Sequence, residues 1–164
     1  MSDFTNLTDG GRRLGPLLAE ALIGEADAVL CPALPNGVPV VIGILESLAL
    51  PVVALPVERS SEGALVRPVQ GLAGRTVVVI DDGVETGTVA RAAVAPLRES
   101  GAARLILAVP VCPREAMADL QYRYDAIVSV VRPMVRRDLG WHYADFDTID
   151  EPEARRLLGS MPSE

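Results

Sequence analysis

Two adjacent carboxylates, Asp81 and Asp82, directly follow the apolar run 77–80. The apolar run predicts a buried strand, and open α/β sheets bind their ligands at the carboxyl ends of strands. A carboxylate pair at such an edge is costly unless a ligand or a metal ion uses it. Each carboxylate can accept two hydrogen bonds, so vicinal hydroxyl groups of a sugar are suitable partners.

The residues after this pair, Glu-Thr-Gly-Thr at 85–88, lead directly into a predicted helix. Gly87 allows a close approach of the backbone, and the start of the helix offers unpaired N–H groups and a partial positive charge that suit a phosphate. Thr86 and Thr88 add hydroxyl groups. The spacing fits one ribose 5-phosphate. The alternative is a turn common in α/β proteins, in which a strand is followed by Asp, Gly and a helix and the Asp only caps the helix.

Strands and helices alternate along the chain, which predicts an α/β fold with a parallel five-stranded sheet and helices on both faces. The polar stretch 58–74 is predicted to be a loop with room for a hairpin. The predicted strands are 28–33, 51–57, 75–80, 104–111 and 126–131, and the predicted helices are 12–23, 38–48, 88–99, 114–120 and 152–158.

The composition indicates one domain over residues 1–164, in which 132–164 form a small C-terminal hood and closing helix. A net charge of −7 argues against non-specific nucleic-acid binding, which needs a basic surface. Cys31 and Cys112 lie in apolar runs and are interpreted as buried, reduced thiols, with a disulfide or a reactive thiol as the alternative. Residues 1–10 lack the pattern of a secretory signal and no apolar run is long enough to span a membrane, so we expect a cytoplasmic protein.

Residues 80–88, Ile-Asp-Asp-Gly-Val-Glu-Thr-Gly-Thr, resemble the ribose-phosphate signature of type I phosphoribosyltransferases. Residues 33–40 resemble the diphosphate-binding loop and following helix of that family, and 109–111 resemble its next strand. The aromatic and acidic segment 141–146 resembles the tail of bacterial members. The resemblance extends over roughly 12–158, and its central motif is the specific part.

The resemblance implies roles for individual residues. Asp81 and Asp82 would hold the ribose hydroxyls directly or through Mg²⁺, so both are candidate metal ligands and Asp82 is also a candidate catalytic residue. Glu85 stands where enzymes acting on 6-oxopurines place a general base, although a Glu turned to solvent in the first turn of a helix is the alternative. The implied substrate-binding residues are Pro35, Asn36, Gly37, Arg59, Asp81, Asp82, Gly83, Val84, Glu85, Thr86, Gly87, Thr88, Trp141 and Tyr143.

The aromatic residues of the tail have two interpretations. Trp141 and Tyr143 could stack on a base, with Asp145 or Asp147 reading one of its exocyclic groups. The alternative is that these aromatic side chains cap the core or line a dimer interface. His142 is interpreted as structural or exposed.

Three features depart from the family pattern. Val89 stands where a further hydroxyl residue usually ends the phosphate loop, and Asn36 stands where Arg or Lys is frequent. The loop at 60–71 is short for a lid that closes over the reaction and excludes water.

The resemblance implies a Mg²⁺-dependent homodimer that transfers a phosphoribosyl group from 5-phosphoribosyl-1-diphosphate to a purine-like base in nucleotide salvage. Its partners would be small-molecule substrates, with no nucleic acid and no membrane. The departures favour the alternative of a regulator that binds phosphoribosyl diphosphate or a nucleotide without turnover. A third possibility is hydrolysis of a nucleotide or phosphoribosyl compound in an open, wet site.

Overall fold

A computed structural model of the chain describes residues 2–25 and 27–163. Its helices and strands alternate as the apolar periodicity predicts, and side chains cap the first and last helices, where Asn6 accepts from Asp9 N and Asp150 accepts from Glu153 N. In chain order the elements are α1 (Leu7–Ala21), β1 (Ala28–Pro32), α2 (Gly37–Ile44), β2 (Val57–Ser60), β3 (Gly63–Val66), β4 (Thr76–Ile80), α3 (Thr88–Glu99), β5 (Arg104–Val111), α4 (Arg114–Leu120), β6 (Ala126–Val131), a 3-10 helix (Leu139–His142) and α5 (Glu151–Leu158).

The main sheet contains four parallel strands in the order β1-β4-β5-β6. Every residue of β1 and β4 is buried, as expected for parallel strands covered by helices on both faces. Side chains alternate along β4: Val77 and Val79 pack under α3 and α4, whereas Val78 and Ile80 pack under α1 and α2. The predicted α/β class is confirmed.

The predicted strand at 51–57 is not a regular strand, so the main sheet has four strands rather than five. The segment does run parallel to β1, since Leu30 N donates to Pro51 O at 2.9 Å and Leu55 N donates to Pro32 O at 3.0 Å. Pro32 has no N–H group that could donate to this segment, so the ladder of hydrogen bonds is interrupted there and only isolated bridges form.

The strand order creates a topological switch point between β1 and β4. The irregular segment 51–55 lies on one side of β1, and the chain then crosses back to place β4 on the other side. The loops that leave β1 and β4 therefore diverge at the carboxyl edge, which is the switch point where such sheets bind ligands.

The polar stretch 58–74 contains the hairpin that the sequence allowed, formed by β2 and β3. Cys31 and Cys112 are free and buried, and burial raises the pKa of the Cys31 thiol to about 12 and of the Cys112 thiol to about 11. Within residues 2–25 and 27–163, every helix is too short or too polar to cross a bilayer.

Candidate functional site

A cavity of about 430 Å³ opens at the switch point between β1 and β4. Its polar wall comes from the loops after these two strands, and its apolar wall comes from the strands and from residues beyond β6. The lining residues are Pro35, Asn36, Arg59, Val79, Asp81, Asp82, Gly83, Val84, Glu85, Thr86, Gly87, Thr88, Val89, Ala90, Leu107, Val109, Leu139 and Phe146.

The two carboxylates at the end of β4 form a tightly coupled pair. Asp82 is 8% exposed, and its main-chain N–H donates to Asp81 Oδ1 at 2.8 Å. Burial raises the pKa of both groups, and the neighbouring Asp81 raises the pKa of Asp82 further, to well above its usual range. Ionising both carboxyl groups is therefore costly while the pocket holds no cation or hydroxyl donor.

Arg59, from β2, is the positively charged side chain among the lining residues. Its Nη1 donates to the main-chain carbonyl of Leu34 at 2.8 Å, which fixes the guanidinium beside the loop after β1. Its charge lowers the pKa of both Asp81 and Asp82, although burial outweighs this effect.

The start of α3 forms one side of the cavity. Gly87 precedes the helix with a φ of +84°, a left-handed conformation that favours glycine, and no side chain caps the first turn. The hydroxyl oxygens of Thr86 and Thr88 lie 3.0 Å apart. Unpaired N–H groups and two hydroxyl groups therefore face the cavity at one point, which suits an anion.

The loop after β1 approaches the same cavity from the opposite side. The Leu34–Pro35 peptide bond is cis, and Pro35 and Asn36 line the cavity. Gly37 does not line it: a Cβ at Gly37 would lie 2.5 Å from Ile80 O, so this glycine lets α2 approach β4. Its role in the structure is packing.

The hood segment, residues 139–149, covers the apolar side of the cavity. Leu139 and Phe146 line the cavity. Tyr143 is 3% exposed, stacks on Phe146 with ring centroids 5.5 Å apart, and donates from its phenol to Asp82 O at 2.6 Å. Trp141 is 48% exposed outside the cavity, with the Arg137 guanidinium 4.4 Å from its ring centroid.

Glu85 connects the loop before α3 to the hood segment. Its Oε1 accepts a hydrogen bond of 2.6 Å from the main-chain N–H of Leu139. Glu85 also lines the cavity, so the structure does not place it as a solvated residue of the helix.

The structure brings most of the expected site residues together. Gly37, Trp141 and Tyr143 lie outside the lining, whereas the other eleven expected residues contribute to it. The sequence motifs missed Leu139, Leu107 and Val109, whose apolar character gives no signal of a site. His142 is buried and pairs through Nδ1 with Asp3 at 2.7 Å, as its structural interpretation expects.

The carboxylate pair fits a shared rather than a self-contained magnesium site. No cluster of three or more acidic, His or Cys side chains that could hold a metal occurs among the described residues. Mg²⁺ is commonly held by one or two carboxylates while substrate phosphates and water complete its octahedron. Asp81 and Asp82 would supply the hard oxygen ligands of such a site, and a cation would relieve their mutual repulsion.

No protein-family model matches the chain. A curated Mycobacterium tuberculosis (strain H37Rv) protein named "Putative phosphoribosyl transferase" is 34% identical over 87 residues, which is 53% of this chain. The matched segment spans 20% of the length of that relative.

Two solved structures share the fold. A Thermus thermophilus protein, TT1426, superimposes with a TM-score of 0.84 and 22% identity over 99% of this chain and 100% of its own. The purine phosphoribosyltransferase of Pyrococcus horikoshii superimposes with a TM-score of 0.59 and 19% identity over 90% of this chain and 99% of its own. The chain therefore resembles the type I phosphoribosyltransferases and has their α/β fold.

Proposed function

We propose that the chain is a phosphoribosyltransferase that uses 5-phosphoribosyl-1-diphosphate to glycosylate a nitrogenous base and releases diphosphate. One observation carries the proposal: the carboxylate pair Asp81–Asp82 and the open start of α3 line the same cavity, so the partners for a ribose and for its 5-phosphate lie in one site. The sequence match to a relative named as a phosphoribosyl transferase supports the same chemistry.

The sugar end of the ligand would lie against Asp81 and Asp82. The ribose 2- and 3-hydroxyl groups donate to these carboxylates, while the 5-phosphate accepts from the N–H groups and hydroxyl groups of Thr86 and Thr88. Mg²⁺, when bound, neutralises charge on the leaving diphosphate. Charge complementarity supports this assignment, because the ribose hydroxyl donors meet carboxylate acceptors and the phosphate meets N–H and hydroxyl donors.

The diphosphate would lie between the loop after β1 and Arg59. The Asn36 side chain offers its amide N–H groups on this side, and Arg59 offers the positive charge.

Val89 leaves the phosphate loop one hydroxyl group short of the family pattern. We therefore assign the 5-phosphate to main-chain N–H groups more than to side chains.

The base would occupy the apolar side of the cavity. Phe146 and Leu139 form its wall there, and an aromatic ring can stack on Phe146. Phe146 thus replaces Trp141 and Tyr143, which do not line the cavity, as the proposed stacking residue. A purine-like base is proposed because its flat ring suits this wall.

The reaction would form a bond between a ring nitrogen of the base and the anomeric carbon of the ribose. The bond from that carbon to the diphosphate oxygen breaks, and its electron pair leaves with the diphosphate. The proton of the ring nitrogen passes to the Glu85 carboxylate, whose Oε2 has no partner among the hydrogen bonds of the described residues. Asp81 and Asp82 hold the sugar during the displacement.

Base-dependent diphosphate release tests the proposal. The protein is mixed with Mg²⁺, 5-phosphoribosyl-1-diphosphate and each of the purine bases, orotate and uracil in turn, and released diphosphate is measured. We expect release with at least one purine-like base, and a loss of at least about a hundredfold for Asp81→Asn. The matched control is Glu20→Gln, which changes an exposed carboxylate on α1, outside the cavity. Absence of release with every base would refute the proposal.

A regulator that binds the same ligand without turnover is the second candidate. The hairpin of β2 and β3 favours it, because only Ser61 and Glu62 separate the strands and so short a connection offers little cover for the cavity. This candidate predicts a rise in melting temperature with 5-phosphoribosyl-1-diphosphate and Mg²⁺ but no diphosphate release.

A further inference from the structure

We propose that Glu85 and Asn36 are positioning residues that hold the hood segment over the base side of the cavity. The proposal rests on the function proposed above for its substrates, and on two hydrogen bonds for its geometry. In both, a side-chain oxygen of a ligand-binding loop accepts a main-chain N–H of the hood segment.

The Glu85 bond fixes the residue that begins the apolar wall. Glu85 Oε1 accepts from Leu139 N at 2.6 Å, which is a short hydrogen bond between a main-chain N–H and a side-chain carboxyl oxygen. Leu139 also packs tightly beside Gly83, where an added Cβ would lie 2.5 Å from Leu139 Cδ2. The phosphate loop and the start of the hood segment therefore move together.

The Asn36 bond fixes the far end of the same segment. Asn36 Oδ1 accepts from Ile149 N at 3.0 Å. The Arg or Lys that is frequent at this position in the family has no acceptor atom and could not make this bond. Asn36 therefore replaces a cation near the diphosphate with an anchor for the hood segment, while its amide N–H groups remain available to the ligand.

The two anchors lie on the two loops that would meet the substrate phosphates. A ligand that orders these loops also orders the hood segment, and Leu139 and Phe146 are then held at the positions that a base requires. Loss of an anchor loosens the base side of the cavity first. The expected kinetic effect is a rise in KM for the base that exceeds the rise in KM for 5-phosphoribosyl-1-diphosphate.

Substitution of Glu85 separates anchoring from proton transfer. Glu85→Gln keeps an oxygen that can accept from Leu139 N but removes the proton acceptor, whereas Glu85→Ala removes both. We expect kcat to fall in both variants, and the KM for the base to be about tenfold higher in Glu85→Ala than in Glu85→Gln. Asn36→Asp and Asn36→Ala form the corresponding pair for Ile149, and Glu62→Ala, on the exposed hairpin turn, is the control.

A structural readout makes the test independent of turnover. Trp141 is the one tryptophan of the chain and lies in the hood segment, so its fluorescence reports the segment directly. Amide hydrogen exchange of residues 139–149 is measured in parallel, without ligand. We expect faster exchange, by about tenfold, and an altered Trp141 emission in Glu85→Ala and Asn36→Ala but not in Glu85→Gln or Asn36→Asp.

The outcomes separate the two proposals. If the wild type releases no diphosphate with any base, the phosphoribosyltransferase function fails, whereas the exchange and fluorescence differences still decide the anchoring. If both Ala variants keep wild-type exchange and fluorescence, the anchoring is refuted whatever the enzyme does. Equal exchange rates in Glu85→Gln and Glu85→Ala would also refute the anchoring, because the acceptor oxygen retained in Glu85→Gln would then have no effect on the hood segment.

Discussion

The phenol of Tyr143 donates a hydrogen bond of 2.6 Å to the main-chain carbonyl of Asp82. Burial, together with the carboxylates of Asp82 and Asp81, raises the pKa of this phenol far above its usual range, so the hydroxyl stays protonated and remains a donor. Tyr143 is buried against Phe4 and Phe146. The hood segment is thereby joined to the turn that presents the carboxylate pair.

Replacement of Tyr143 by Phe should destabilise the fold and weaken the site together. The substitution leaves the buried Asp82 carbonyl without this donor, which costs about 1–3 kcal/mol of unfolding free energy. Denaturant unfolding should show a lower midpoint with an unchanged slope. Tyr122→Phe is the matched control, because Tyr122 is 85% exposed and its hydroxyl can bond to water. Equal midpoints for the two variants would contradict the prediction.

Replacement of Asp82 by Asn should stabilise the ligand-free protein at neutral pH while abolishing ligand binding. The folded pKa of Asp82 is raised above its unfolded value, so the folded state binds more protons in the window between the two values. The free energy of unfolding therefore falls as the pH rises from the unfolded pKa, near 3.8, through the folded pKa, and it stays lowered at higher pH. Asn cannot ionise, so the Asp82→Asn variant does not undergo this loss of stability.

The expected gain for Asp82→Asn is on the order of 1 kcal/mol at pH 7 and vanishes at pH values below the unfolded pKa. It is measured by urea unfolding across a pH series, with Asp145→Asn as the exposed control. A stabilised variant that also loses ligand-induced thermal stabilisation would show that the carboxylate pair is kept for binding. A wild type and variant with parallel pH profiles would contradict the prediction.

Local sequence was sufficient to predict the central part of the site. A short apolar strand, two carboxylates, and a glycine before a helix follow one another without a long-range contact, so their spacing alone indicated the cavity edge. The polar stretch 58–74 was predicted as a loop with room for a hairpin, and the hairpin of β2 and β3 forms there with a local turn. The predicted regular strand at 51–57 was wrong because its pairing depends on Pro32, a residue of the neighbouring strand.

The hood could not be predicted at the level of side chains. Its aromatic residues were visible in the sequence, but which ring faces the cavity depends on how the segment packs. Tyr143 turns towards Phe4 and the core, so Phe146 and not Tyr143 reaches the ligand side. The anchoring oxygen of Asn36 bonds a residue 113 positions away, which sequence spacing cannot show.

Replacement of Arg59 by Met should weaken binding of 5-phosphoribosyl-1-diphosphate and move the acid limb of the pH profile. The positive charge of Arg59 lowers the pKa of Asp81 and Asp82, so its loss raises both pKa values further. In the proposed reaction, ionised carboxylates are the stronger acceptors for the ribose hydroxyls. The ascending limb of kcat/KM should therefore shift to higher pH.

The affinity of the Arg59→Met variant for 5-phosphoribosyl-1-diphosphate should fall about ten- to a hundredfold, as expected when a hydrogen bond to a charged group is lost. Arg59→Lys should retain the position of the acid limb, because it keeps the charge, but it loses the guanidinium bond to Leu34 O. Arg67→Met is the matched control, since Arg67 is exposed and lies outside the cavity. An unshifted acid limb in Arg59→Met, measured against this control, would show that Arg59 does not set the charge state of the carboxylate pair.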